Sequence, residues 1–149
     1  MAVVCYSPLG RGLLASAFTT KESVSGTGDY RAAYFPRFAE ENFEANMRIV
    51  DQFKALADKK GCTVSQMALA WLLKQGNDIF PIPGTKRMSV FGENWSSLDV
   101  NLTEKEEVEV REFVESVEVA GYRSVELGKA YASADTKEER DMRFSKQKI

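Results

Sequence analysis

Histidine is absent from the 149-residue sequence, and this absence excludes several kinds of site. A Ser–His–Asp triad, a histidine metal site and a histidine general acid all need that side chain. Cysteine is scarce as well, because Cys5 and Cys62 are the only two and they are not in CxxC spacing. This usage favours reduced thiols in a cytoplasmic protein, and we assign no metal ligand.

Long apolar runs and a strong charge imbalance are also missing. No apolar run approaches the roughly 20 residues of a membrane span, and the first residues lack the charged-then-apolar layout of a secretion signal. The net charge is −2 and the isoelectric point about 5.4, so no general nucleic-acid surface is implied. With 44% apolar and 28% charged residues, the composition predicts one globular domain without membrane or nucleic-acid partners.

The segment IFPIPGTKR at residues 79–87 predicts a short buried strand that runs into an anion site. Residues 79–82 are mostly apolar and β-favouring, but Pro81 cannot donate to a β-ladder, so the strand must be short or bulged. Pro83 fixes φ and Gly84 lacks a side chain, which lets the backbone turn sharply and approach a ligand. Thr85 then offers a hydroxyl group, and Lys86 and Arg87 offer two positive charges. Taken alone, a solvated basic turn would explain the segment better.

A second strand-to-turn segment lies at the N-terminus. Val3–Tyr6 is β-favouring and predicts a buried strand. Ser7–Gly12 (SPLGRG) follows as a turn whose serine and two glycines suit close approach of the backbone to an anion. Without the other segment, an ordinary connecting turn would be the better interpretation.

Between the two strands, the pattern predicts a long connection and two helices. Residues 15–42 are rich in serine, threonine, glycine and charge, and their aromatic side chains either cover a ligand or fix the loop to the domain. Phe43–Lys60 has apolar residues at helical spacing, with Gly61 as the C-terminal stop. Thr63 and Gln66 form a capping-box pattern that opens the second helix.

After the second strand, two more helices are predicted. Met88–Leu98 has helical spacing interrupted by Gly92, and Thr103 with Glu106 opens a last helix that Gly121 ends. Strands that alternate with helices indicate parallel β/α units. Two parallel strands, however, cannot cover both faces and both edges of their sheet. The chain therefore has the size of a domain but the strand count of a fragment.

Five segments together resemble a known enzyme family. They are VVCYSPLGRGLL, PRFAEENFEANMRIVDQF, GCTVSQMALAWLL, FPIPGTKR and ENWSSLDVNLT. In this order they resemble the final quarter of an aldo-keto reductase, most closely the plant branch of auxin-induced and perakine reductase-like proteins. The resemblance implies an α/β fold, a partial TIM (β/α)8 barrel with its last two β/α units, a C-terminal helix and a tail. Residues 1–121 would form this portion, and residues 122–149 a weakly structured charged tail.

The same resemblance implies NADPH as cofactor and assigns roles to both turns. The loop after the first strand would hold the pyrophosphate, through Ser7, Leu9, Gly10 and Arg11. The turn after the second strand would hold the adenosine 2′-phosphate, through Gly84, Thr85, Lys86 and Arg87. Two cations there favour NADPH over NADH, because the extra phosphate gives them a charge to neutralise. Glu93 and Asn94 match the pair of the family that holds adenine.

The reaction of the family does not carry over residue by residue. Its members transfer a hydride from NADPH to a small carbonyl substrate with a Tyr, Lys, Asp and His set from the first half of the barrel. Without histidine that set cannot be complete, so no catalytic residue is assigned and the chain alone is expected to be inactive. The alternative is a non-enzymatic, partner-binding barrel fragment that associates through exposed strand edges.

Overall fold

The computed structural model describes residues 1–15 and 29–123. The described residues divide into two compact units, one of residues 1–15 and 47–118 and the other of residues 29–46 and 119–123. The strands and α-helices are β1 (Val3–Tyr6), α1 (Arg31–Tyr34), α2 (Glu40–Lys60), α3 (Val64–Lys74), β2 (Ile79–Ile82), α4 (Met88–Trp95) and α5 (Glu104–Ser116). Short 3-10 turns occupy Gly10–Ala15, Pro36–Phe38 and Ser96–Asp99. The part of the chain that the structure describes is therefore a mixed α/β arrangement, as predicted.

The two predicted strands form one parallel sheet in the first unit. Val3 pairs with Ile79 and Tyr6 with Ile82. The Val3 N–H donates to the carbonyl of Asp78 over 2.7 Å, which fixes this register. Both strands have the predicted bounds, and β2 includes Pro81 in a run of only four residues. The wider barrel remains a prediction, because these two strands are the whole sheet of the described residues.

The strands are more exposed than the sequence predicts. Val3, Val4 and Tyr6 in β1 are exposed, and so are Phe80 and Ile82 in β2. The expectation of buried strands is therefore wrong for this chain. The physical reason is the small size of the sheet. With only two strands in the described residues, the outer edge of each strand has no neighbour and the sheet is not covered on both faces.

The core of the first unit is helical. Apolar side chains from residues 47–60 of α2 meet those of α3 and α5, and the rings of Phe53 and Phe113 stack with centroids 5.8 Å apart. The predicted end of α2 is confirmed, because Gly61 follows Lys60 with φ +77°. Its start lies at Glu40, three residues before the predicted one, and two glutamates in its first turn are favourable at the positive end of the helix dipole.

Both capping boxes form as predicted. At α3, Thr63 accepts from the N–H of Gln66 while the Gln66 side chain accepts from the N–H of Thr63. At α5, Thr103 and Glu106 make the same reciprocal pair. Each box pairs two backbone N–H groups that a helix start otherwise leaves without partners.

Two predictions about where helices break or end are wrong. Gly92 does not interrupt α4, which runs unbroken to Trp95, because a glycine inside a helix costs only about 1 kcal/mol and does not break the hydrogen-bond ladder. The last helix ends at Ser116, since Val117 is extended with φ −99° and ψ 140°. Gly121 therefore ends no helix.

The second unit is tied by one asparagine that sequence reasoning missed. The Asn46 side chain donates to the carbonyls of Arg37 and Ala120 and accepts from the N–H of Ala120, each over 2.9 Å. Gly121 has φ +80°, and a Cβ there would lie 2.8 Å from the carbonyl oxygen of Pro36. Glycine is thus required at that position by backbone conformation and by space.

The predicted long connection is only partly described. Phe38 is buried in the second unit, whereas Tyr30 and Tyr34 are exposed, so Phe38 is the aromatic side chain that fixes this segment most firmly. Residues 16–28 of the connection and 124–149 of the predicted tail lie outside the described residues. None of the helices in the described ranges combines the length and apolar character of a membrane span.

Ion pairs attach α5 to α2 and α3. Lys59 pairs with Glu109 over 2.7 Å, Lys60 with Glu106 over 2.8 Å and Lys74 with Glu104 over 2.7 Å. Glu106 is the most heavily bonded, because it also accepts from the backbone N–H and the hydroxyl of Thr103. The ammonium of Lys60 and these two donors lower the pKa of Glu106 from 4.5 to about 2.

Acid should destabilise the chain in a window that Glu106 helps to set. The folded pKa lies below the unfolded one, so the stabilisation is complete above about pH 4.5 and is lost as the pH falls towards 2. Glu106→Gln should make the free energy of unfolding fall less steeply across this window, as measured by urea unfolding at a series of pH values. Glu112→Gln, an exposed position of the same helix, is the control. Equal slopes for the wild type and Glu106→Gln would refute the assignment.

Candidate functional site

The two predicted anion-binding turns leave the sheet at the same edge. Because β1 and β2 are parallel and Tyr6 pairs with Ile82, the carboxyl ends of both strands lie side by side. Ser7 continues one strand and Pro83 the other. Ligands of parallel α/β folds bind at this edge, where loops from neighbouring strands can contact one molecule.

The turn after β1 is held in an unusual backbone conformation. Ser7 has φ 50° and Arg11 φ 55°, both in the left-handed region that non-glycine residues seldom adopt, and Gly10 between them has φ 58°. Such a conformation costs about 1–2 kcal/mol per residue and is concentrated at functional sites. The turn is anchored by Leu9, whose side chain is buried in the core and whose carbonyl accepts from the N–H of Gly12. Leu9 could therefore meet a ligand through its backbone only.

The turn after β2 presents two cations to solvent. Gly84, Thr85, Lys86 and Arg87 are all exposed. The N–H of Arg87 donates to the hydroxyl oxygen of Thr85 over 3.1 Å, which tightens the turn just before α4 begins at Met88. Within the described part of the chain, neither Lys86 nor Arg87 forms an ion pair. Both are thus available to an anion from outside the protein.

Glycine at position 84 is not explained by the fold. The residue does not have the positive φ of the glycines that require it, and a Cβ built there would meet nothing within 4 Å. The backbone conformation and the surrounding protein would both accept a side chain at Gly84. The described residues therefore do not require a glycine at position 84.

Glu93 and Asn94 lie on α4 in contrasting surroundings. Glu93 accepts a hydrogen bond from the Thr63 hydroxyl at the start of α3, over 2.8 Å. Asn94 is 7% exposed, and its side-chain oxygen Oδ1 is buried without a hydrogen-bond partner among the described residues. A buried acceptor without a donor is costly, which points to a missing partner. Sequence reasoning identified both residues but neither the bond nor the burial.

A mostly apolar cavity of about 530 Å³ lies beside Asn94. Its walls come from α3, β2 and the segment from α4 to Leu98. Phe91 and Trp95 stack along this wall with ring centroids 6.1 Å apart, and both are exposed. The cavity therefore continues into an uncovered apolar surface of the first unit.

Comparison with known proteins places the chain in an enzyme family. Residues 1–115 match the sequence model of the aldo/keto reductase family. The chain is 42% identical over 123 residues to "Aldo-keto reductase yakc [NADP(+)]" of Schizosaccharomyces pombe, an alignment that covers 83% of this chain and 36% of that protein. It is 36% identical over 128 residues to "Aldo-keto reductase str7" of Strobilurus tenacellus, covering 86% of this chain and 38% of that protein.

These matches confirm the family resemblance at its general level. Both relatives are fungal, so they do not support the plant branch that the sequence motifs suggest. The chain spans little more than a third of the length of either relative. The match to the family covers most of the chain, including both strands and both turns. The chain belongs to the aldo/keto reductase family.

Proposed function

We propose that this chain is the cofactor-binding, C-terminal portion of an NADPH-dependent aldo-keto reductase. In this proposal β1 and β2 are the seventh and eighth strands of a (β/α)8 barrel. Residues 1–121 are the C-terminal portion of that barrel, and residues 122–149 are an appended tail. The observation that carries it is the parallel pairing of the two strands, which brings both turns to one edge of the sheet. Phosphate groups are often bound after these two strands of such barrels. The plant branch remains a prediction from motifs alone.

The two turns would divide the cofactor between them. The pyrophosphate falls to the turn after β1, with Ser7, Leu9, Gly10 and Arg11. The 2′-phosphate falls to the turn after β2, with Gly84, Thr85, Lys86 and Arg87. The N–H groups at the start of α4 add a partial positive charge behind the second turn. Adenine would be held by Glu93 and Asn94.

The surroundings of these residues fit such a ligand. Lys86 and Arg87 are exposed cations without partners in the described residues, and a phosphate would neutralise them. The buried Oδ1 of Asn94 is an acceptor, and the amino group of adenine is a donor. When bound, NADPH supplies the hydride for reduction of an aldehyde or ketone. The residues of this chain hold and orient the cofactor, and its sequence has no histidine to complete the catalytic set of the family.

A second candidate function is supported by the uncovered apolar surface. Trp95 is 64% exposed, Leu98 59% and Phe91 51%, although all three are large apolar side chains. Exposed apolar surface and open strand edges mark sites where another polypeptide binds. A polypeptide that supplies the remaining barrel units, or a second copy of this chain, would cover them. In that case the chain is a barrel-completing partner without turnover of its own.

The two functions separate in a binding experiment on the full 149-residue chain. We expect calorimetry to detect NADPH binding and a preference for NADPH over NADH, with no carbonyl-dependent loss of NADPH absorbance. Failure to bind either dinucleotide, together with dimerisation in light scattering, would favour the barrel-completing function. Turnover that disappears when a tyrosine of this chain, such as Tyr6 or Tyr122, is replaced by phenylalanine would contradict the proposal of an inactive cofactor-binding portion.

A further inference from the structure

The threonines that begin α3 and α5 make the same cap but donate their hydroxyl protons to different partners. Thr63 Oγ1 accepts from the Gln66 N–H over 3.2 Å, and Thr103 Oγ1 accepts from the Glu106 N–H over 3.3 Å. The Thr103 hydroxyl donates to Glu106 within its own box, over 2.8 Å. The Thr63 hydroxyl instead donates to Glu93, thirty residues later on α4 and also 2.8 Å away.

The difference follows from the third residue of each helix. Glu106 is a carboxylate, and its Oε2 accepts both the N–H and the hydroxyl of Thr103. Gln66 is a neutral amide whose Oε1 accepts only the N–H of Thr63, over 3.0 Å. Because a carboxylate is the stronger acceptor, the Thr63 hydroxyl bonds to the nearby Glu93. Because the third residue of α3 is a glutamine, the Thr63 hydroxyl donates its hydrogen bond to Glu93 on α4.

We infer that Thr63 is a positioning residue for Glu93 in the recognition of adenine, an inference that rests on the proposed function. The hydroxyl fixes Oε1 of Glu93, while the described residues give Oε2 no hydrogen-bond partner. A carboxylate only accepts hydrogen bonds, so the group it would select on adenine is the exocyclic amino group. Holding a long side chain before the ligand arrives reduces the entropy lost on binding.

Two further features of the site support this role. The N-terminus of α3 carries a partial positive charge, which favours the carboxylate of Glu93 beside Thr63. Asn94, the next residue, is more than nine-tenths buried with an unpartnered Oδ1. Two acceptors thus follow each other on α4, one fixed by Thr63 and one by burial.

Thr63→Asp separates the positioning role from the cap. Aspartate is a good N-cap and keeps an acceptor for the Gln66 N–H. Its carboxylate, however, cannot donate a hydrogen bond to Glu93, and its negative charge repels that of Glu93. The probes are NADPH and its deamino analogue, in which hypoxanthine replaces adenine and the amino group is lost. We expect the wild-type chain to prefer NADPH by about 3- to 10-fold, the contribution of one hydrogen bond from the adenine amino group to Glu93, and Thr63→Asp to lose this preference.

Three single variants and one double variant control the experiment. Thr63→Ser keeps both hydrogen bonds and should keep the preference, and Thr103→Asp changes the equivalent cap of α5 without touching Glu93. Glu93→Gln should lose the preference, and combining it with Thr63→Asp should cause no further loss. Thermal unfolding of each variant, with Tm close to that of the wild type, shows that the cap is intact.

The outcomes distinguish this inference from the proposed function. A wild-type preference that Thr63→Asp retains, or that Thr103→Asp also removes, overturns the positioning role while leaving cofactor binding in place. A wild-type chain that binds neither dinucleotide overturns the proposed function and this inference with it. Loss of the preference in Thr63→Asp and in Glu93→Gln, with the preference kept in Thr63→Ser and in Thr103→Asp, establishes the role.

Discussion

Replacing Lys86 and Arg87 together by alanine should weaken NADPH binding about 100-fold and leave NADH binding nearly unchanged. A hydrogen bond to a charged group contributes about 1.5–3 kcal/mol, and each 1.4 kcal/mol is a factor of ten. We take the low end of that range because both side chains are exposed to solvent. The measurement is the ratio of the two dissociation constants, from calorimetric titration of the full chain.

NADH serves as an internal control for the ratio of the two dissociation constants, because it differs from NADPH only by the 2′-phosphate. Lys105→Ala removes an equally exposed cation from the first turn of α5 and should change neither affinity by more than about twofold. A parallel loss for both dinucleotides in the double variant would mean that the turn after β2 binds some other part of the cofactor. No loss for either would remove the turn from the site.

Replacing Phe53 by alanine should lower the free energy of unfolding by about 3–5 kcal/mol, the largest stability effect that we expect. Phe53 is 5% exposed and stacks against Phe113 in the core between α2 and α5. Truncation removes this contact and leaves a cavity that the surrounding helices cannot fill. The loss is large against the 5–15 kcal/mol that stabilise a typical domain. Urea unfolding followed by circular dichroism measures it.

The matched control is another phenylalanine of the same unit. Phe91 is 51% exposed, and Phe91→Ala should cost less than about 1 kcal/mol in dilute solution. If the apolar surface around Phe91 is covered by a second copy of the chain, this cost should grow with protein concentration. Similar losses for Phe53→Ala and Phe91→Ala at low concentration would contradict the core described here.

The features that sequence reasoning predicted correctly are those that depend on near neighbours. The capping box of Thr63 and Gln66 is a contact between residues three apart, and the stop at Gly61 is a property of one residue. The two strands have the predicted bounds because each run of β-favouring residues is followed directly by turn residues. Such signals need no knowledge of the fold, so they are visible in a single sequence.

The features that it missed depend on distant parts of the chain. The Asn46 side chain bonds to Ala120, 74 residues away, and no local pattern predicts such a bond. The exposure of β1 and β2 depends on how many strands surround them, which periodicity does not reveal. At the candidate site, the residue types of the turns were visible, but the burial of Asn94 and the bond from Thr63 to Glu93 were not.

The position of Pro81 makes the two sides of the small sheet unequal. The bond from the Val3 N–H to the Asp78 carbonyl sets a register in which the amides of Phe80 and Ile82 point towards β1. The amide positions of Ile79 and Pro81 therefore point away from it, and proline has no hydrogen to donate there. On the other side, each residue of β1 has an N–H group. A further strand that paired with the outer edge of β2 would therefore meet a position without a donor at Pro81, which disfavours association of another chain through that edge.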